Sequence, residues 1–174
     1  MNIFFLDTDV KINAQYHVDK HVVKMILETA QLLCSVQHLN GNVDKDLIPY
    51  KMTHKNHPCA IWARKTLPNY LYLCELGLAL GEEYTYRYGK THKSVEVIKW
   101  CLTNKPNIPD TEFTCPPLAM PDEFKTISNC YPITSAVVSY RKYYKGAKSD
   151  LAAWKKRDVP TWYSGEILLD SQYD

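Results

Sequence analysis

His21 and Glu28 stand seven residues apart, just after Asp19-Lys20. On a helix, that interval brings an imidazole and a carboxylate onto one face. Such a pair can move protons at a reacting centre, with one group acting as acid and the other as base. His17, Lys24 and Gln31 extend the pattern, because the five residues are spaced by 4, 3, 4 and 3. They form a polar stripe opposite the apolar face of the same helix. A solvated helix face accounts for each of these residues. A cleft wall would instead put carboxylate, imidazole and positive charge within reach of one another.

A second chemistry-bearing cluster is His54-Lys55-Asn56-His57-Pro58. Its two histidines, added to His17 and His21, are one way to build a metal site for a nuclease or phosphohydrolase. Neither H-E-x-x-H nor a Cys/His pattern of zinc spacing is present, so no metal and no other cofactor is expected. The other reading is a loop whose imidazoles and lysine touch phosphate. Arg64, on the helix that follows, joins that set.

Towards the C-terminus, Arg141, Lys142, Lys145, Lys148, Lys155, Lys156 and Arg157 alternate with Tyr140, Tyr143, Tyr144, Trp154, Trp162 and Tyr163. Cations neutralise phosphates, and aromatic rings stack on bases or wedge between them. With Lys20 and Lys24, these residues suggest an acid/base site beside a surface that grips nucleic acid. Core packing of the tail is the alternative role for Trp162 and Tyr163.

These residues need elements to hold them. The chain has 174 residues, enough for one domain, 1–174, with a real core. It is 45% hydrophobic and 23% charged, an ordinary globular balance. A net charge of only +2 means that a nucleic-acid face has to come from local clustering. The start Met1-Asn2-Ile3-Phe4-Phe5-Leu6-Asp7 has no basic leader region, and no stretch reaches membrane-spanning length. The six cysteines contain no C-x-x-C pair and read as reduced, buried thiols of a cytosolic protein rather than as disulfides.

Val22, Val23, Ile26, Leu27, Ala30, Leu33 and Cys34 follow a helical period, predicting a helix from Asn13 or His17 to about Gln37. Residues 3–6 read as a short extended piece or anchored arm. Pro58 suits the first turn of a second helix, which Pro68 kinks or splits and which ends near Gly89. A shorter helix is expected over His92–Leu102. Five prolines between Asn104 and Pro121 predict an irregular connection. A last long helix runs from Pro132 to about Tyr144, a helical stretch follows over Ser149–Lys156, and 158–174 is a tail. No stretch alternates convincingly, so the chain reads as all-α.

In the order of these motifs the sequence resembles the phage endonuclease V-type pyrimidine-dimer DNA glycosylases with abasic-site lyase activity. Asp19-Lys20-His21 with Glu28 is similar to that family's D-Q-H motif and its following glutamate. His57 to Gly89 resembles the family's second helix. Met120-Pro121-Asp122-Glu123-Phe124, Tyr131-Pro132 and the helix from Ala136 to Arg141 resemble its I-P-x-E-F, Y-I-P and third helix. Pro160-Thr161-Trp162-Tyr163 matches its terminal P-T-W-Y. The resemblance spans most of the chain, with insertions around 43–53 and 90–118.

The resemblance implies three main helices in one compact domain, with the N-terminal segment threaded between them and long irregular connections. It also implies a DNA repair enzyme that binds double-stranded DNA as a monomer. Its location would be cytoplasmic, in the host cell if the protein is viral. In that family the N-terminal α-amine attacks the anomeric sugar carbon of a damaged pyrimidine, a Schiff base forms, and β-elimination nicks the strand. A free α-amine has a pKa of about 8, so a usable fraction is uncharged at neutral pH.

By position, Glu28 is then the catalytic carboxylate and His21 its neighbour on the DNA backbone or sugar. Asn2 is large enough to block removal of the initiator, which gives the nucleophile to Met1. A processed chain would give it to Asn2, and Lys20 and Lys24 are the other amines at hand. Where the family carries arginines around the glutamate, this chain has Leu27 and Gln31, so its contacts with damaged DNA must differ. A non-catalytic DNA-binding protein of the same fold is the remaining alternative.

Overall fold

The computed structural model describes residues 1–126 and 132–164; Cys130, Tyr131 and the tail beyond Ser164 lie outside them. The described residues are all-helical and contain no strand. The α-helices are α1 Val10–Tyr16, α2 Asp19–Asn40, α3 Pro58–Lys65, α4 Leu67–Tyr88, α5 Ser94–Thr103, α6 Pro132–Ala147 and α7 Thr161–Ser164. Single 3-10 turns occur at Lys45–Leu47, Asp122–Phe124 and Ser149–Leu151. No described helix is long and apolar enough to cross a membrane.

Three long helices, α2, α4 and α6, surround a central strap formed by Ile3, Phe4, Phe5 and Leu6, none of which is more than 3% exposed. Phe5 stacks on Tyr72 of α4 and meets Trp62 of α3 edge-on, while Phe4 packs against Tyr140 and Tyr144 of α6. A buried extended segment needs partners for its peptide groups. The Asn13 side chain supplies two of them. Its Oδ1 accepts from Leu6 N at 3.0 Å, and its Nδ2 donates to Phe4 O at 3.1 Å.

Of the two expected starts of the first long helix, Asn13 and His17, the structure lies close to the later one, with a separate short helix before it. Asp9 caps α1 by accepting from Ile12 N at 3.0 Å, and His17 and Val18 are extended, so α2 begins only at Asp19. Arg87, 1% exposed at the end of α4, holds this break. It donates to Glu83 Oε1 (2.9 Å), Asp19 Oδ1 (2.9 Å), His17 O (2.8 Å) and Gln15 O (2.8 Å). One guanidinium thereby binds the peptide oxygens that the helix break leaves open.

Pro68 splits rather than kinks its helix. It lies in the first turn of α4, where its missing N–H costs no hydrogen bond, and Thr66 caps that turn through Asn69 N. Gly89 ends α4 in the left-handed region at φ 69°. Gly77 lets α4 pack closely on α2 and α5, since a Cβ there would come within 2.8 Å of Thr29 and Ile98 side-chain atoms.

The stretch Ser149–Lys156, expected to be helical, gives only the turn Ser149–Leu151. Tertiary hydrogen bonds hold the rest as a non-helical segment that turns at Lys155–Lys156. Trp154 Nε1 donates to Tyr16 O at 2.8 Å, Asp19 N donates to Ala153 O at 2.8 Å, and Lys155 N donates to Asp19 Oδ1 at 2.8 Å. Cys34, Cys59, Cys74 and Cys101 are buried free thiols, and Cys115 is an exposed one. Cys34 and Cys101 approach to 3.9 Å without bonding covalently.

Candidate active site

The strap runs antiparallel beneath the inward face of α2, so its start meets the later turns of the helix. The Met1 amino nitrogen lies 3.3 Å from Glu28 Oε1. Glu28 is 7% exposed, and its second oxygen, Oε2, is buried without a hydrogen-bond partner. Lys24, one turn earlier on α2, places Nζ 4.0 Å from the same Oε1, with its own side chain 66% exposed. An amine, a carboxylate with a spare lone pair and a solvent-facing ammonium thus meet at one point.

The wall opposite α2 is the start of α3. His57 caps α3 by accepting from Cys59 N at 3.1 Å through Nδ1, so in the neutral ring the proton sits on Nε2. Burial lowers the His57 pKa below its ordinary value; the Met1 amine and His54 add to this, and Glu28 acts in the opposite sense. Burial pushes the Cys59 thiol up to about 12, so it stays protonated and is no nucleophile. Beside Glu28, Leu27 and Gln31 line a depression of about 390 Å³ closed by Tyr50, Lys51, Met52 and Thr53. That segment is pinned to α2, with Ser35 Oγ donating to Thr53 O at 2.9 Å and Thr53 N donating back at 3.0 Å.

His21 is not part of this cluster. Seven helical residues separate it from Glu28, about 10.5 Å along the axis. It is 5% exposed, its ring stacks on Phe4 with centroids 4.3 Å apart, and its Nδ1 lies 2.7 Å from the Tyr144 hydroxyl. Burial, aided by the charges of His17, Lys148 and Lys24, brings its pKa down to about 3. The ring is therefore neutral at physiological pH and inaccessible to a DNA backbone. His17 is fully buried, and Nδ1 donates to Asn13 O at 2.7 Å, leaving Nε2 without a partner. Its pKa falls to about 4, chiefly through burial.

The stripe is consequently not a solvated face: of its five members only Lys24 is exposed. Nor do the four histidines considered as ligands gather. Two are sealed in the core and two lie on the 54–57 loop. Among the described residues no three His, Cys, Asp or Glu side chains are placed to hold a metal ion.

The proposed nucleic-acid contacts divide into two groups. Arg141 is 3% exposed, donates through Nε to Leu6 O at 2.9 Å and pairs with Asp7 at 3.1 Å. Trp162 is 4% exposed and packs edge-on against Tyr16. Arg157 grips both oxygens of Glu83 at 3.0 Å, and Tyr163 packs on Trp154. Arg141 and Trp162 are thus buried in the fold, while Arg157 and Tyr163 are half-buried where the tail docks. Lys20, Lys24, His54, Lys55, Lys155 and Lys156 are exposed, and His57, Arg64 and Lys145 are half-buried. Arg64 donates to Lys55 O at 2.6 Å, bracing the 54–57 loop.

Sequence reasoning missed Phe4 and Arg87, and placed Tyr144 among the base-stacking aromatics when it is the buried partner of His21. The i,i+4 spacing of Glu83 and Arg87 was a usable signal for Arg87. Nothing local marks the role of Phe4 or the pairing of Tyr144 with His21.

No protein-family model, curated protein or solved structure matches the chain.

Proposed function

We propose that the chain is a DNA repair enzyme, a DNA glycosylase with abasic-site lyase activity. Its substrate is a damaged or modified pyrimidine in double-stranded DNA, a pyrimidine dimer above all. The observation that carries this reading is the Met1 amine 3.3 Å from a nearly buried carboxylate.

Glu28 Oε1 takes a proton from the amine, and the freed lone pair attacks the anomeric carbon of the sugar. A nitrogen–carbon bond forms as the glycosidic bond breaks, and the base leaves with the bonding pair and a proton. Opening of the sugar ring then gives the imine. Loss of a proton from the adjacent carbon expels the 3′ phosphate and nicks the strand. The proton that leaves with the base is the one Glu28 took up, and Glu28, a carboxylate again, then offsets the positive charge that develops on the imine-bearing sugar.

Nothing in this sequence calls for a cofactor. Lys24, beside Glu28, and Lys55 of the 54–57 loop are exposed and suit the phosphates on either side of an extruded nucleotide. Nicking of UV-irradiated and abasic duplexes in excess chelator tests the reading. Activity that survives chelation and disappears in Glu28→Gln, with duplex binding retained, is expected. Activity that requires a divalent ion would point to a metal-dependent nuclease instead.

A further inference from the structure

Asn2 performs no step in that reaction, yet its side chain is held on every side. Oδ1 accepts from Ile3 N at 2.8 Å and lies 2.8 Å from the Tyr140 hydroxyl. Nδ2 donates to Ala119 O at 3.0 Å, and the Cys59 thiol lies 3.9 Å from Oδ1. Tyr140 is fully buried; its hydroxyl accepts from Ala119 N at 3.3 Å and shares its single proton between Asn2 Oδ1 and Pro117 O, 3.0 Å away. One amide therefore links the N-terminal segment to α6, to the 117–119 connection and to α3. Among the described residues, Met1 itself is anchored by its side chain, 3% exposed, and by the contact with Glu28.

A chain terminus frays unless something ties it down. A nucleophile must be held within a few tenths of an ångström of its productive position to react quickly. We propose that Asn2 is a positioning residue: its side-chain clamp fixes the N-terminus so that the amine of a retained Met1 is the nucleophile at Glu28. Loss of Met1 would set the amine back by one residue, about 3.8 Å of chain, away from the carboxylate. Asn2 serves twice, since its size opposes initiator removal and its amide holds what is retained. The inference rests on the glycosylase–lyase reading above.

Two variants test it on abasic duplex, with borohydride trapping and mass spectrometry of the adduct. Asn2→Leu keeps a large second residue and hence Met1, but loses every polar link of the clamp. Tyr140→Phe removes the hydroxyl and leaves the N-terminus untouched, and it decides the matter should Asn2→Leu fail to fold. In Asn2→Leu, kcat is expected to fall by about 10²-fold with KM for the duplex unchanged. Tyr140→Phe should show a smaller loss of the same kind, and the unsubstituted protein should be trapped at Met1. Wild-type kcat in both folded variants, or losses confined to KM, would overturn the proposal while leaving the lyase reading intact. No adduct from the unsubstituted protein would defeat that reading itself, and this inference with it.

Discussion

The inward stripe of α2 carries two groups with the chemistry of an acid/base pair, and the fold treats them in opposite ways. At the His21 end, Phe4 covers the ring, Tyr144 takes its nitrogen and burial lowers its pKa to about 3. At the Glu28 end, one oxygen faces the Met1 amine and the other is left without a partner. The difference comes from the strap. It runs antiparallel to α2, so its aromatic residues arrive at His21 and its free end arrives at Glu28. Both residues lie on one stripe of the same helix; what decides the role is which part of residues 1–6 lies beneath. A buried polar group with all its bonds made builds structure, whereas one left with a spare lone pair beside an amine can do chemistry.

Substitutions at the two ends should therefore break different things. The largest effect is expected from Glu28→Gln, which should reduce nicking of an abasic duplex by about 10²–10⁴-fold while duplex binding persists. Equal loss of binding would mean that Glu28 shapes the surface instead of the reaction. Next, Arg87→Met should lower unfolding free energy by about 3–5 kcal/mol in denaturant titration, because it strips the helix break of its donors and leaves Glu83 half-paired. His21→Leu removes the imidazole partner of the Tyr144 hydroxyl, which keeps its backbone contact with Val18, and should cost about 1–3 kcal/mol. At temperatures where that variant is folded, nicking should proceed as in the wild type. A selective loss of kcat there would erase the contrast between the two ends.

Acid sharpens the same contrast. The folded pKa values of His17 and His21, about 4 and about 3, lie below the unfolded value. Below about pH 6.5 the unfolded chain takes up protons that the folded chain refuses. Stability is therefore full above that pH and falls as the pH drops towards 4, by up to about 1.4 kcal/mol per pH unit for each ring. Urea midpoints measured from pH 7 to 4 should decline, and a flat profile would contradict the buried, neutral state of both rings. The smallest effect belongs to Lys24→Ala. If Lys24 meets a phosphate, the slope of log binding against log salt should become shallower by about 1.

Much of the fold was legible because helices announce themselves locally. The apolar period of α2, Pro58 at the start of α3, Pro68 in the first turn of α4 and Gly89 at its end are all short-range signals. The break at His17–Val18 was not legible. Its stabilising partner, Arg87, is 70 residues away from His17, and local spacing left a start at Asn13 or at His17 equally open. The same limit explains the non-helical run after Leu151, which Tyr16 and Asp19 hold through long-range hydrogen bonds.

At the candidate site, the spacing of His21 and Glu28 located the right helix and the right face. It could not show that residues 1–6 cover that face, because nothing in Ile3-Phe4-Phe5-Leu6 states what they pack against. The basic-aromatic run near the C-terminus was likewise divided by tertiary contacts. Arg141, Arg157 and Trp162 went to the scaffold, and Lys155 and Lys156 to the surface.

The most direct test of amine chemistry at Glu28 is borohydride reduction of the protein on abasic duplex DNA, followed by peptide mass spectrometry. The geometry at Glu28 predicts one covalent adduct, on the Met1 amine, which disappears in Glu28→Gln. An adduct on Lys20 or Lys24 instead, or no adduct at all, would contradict the role assigned to the N-terminus.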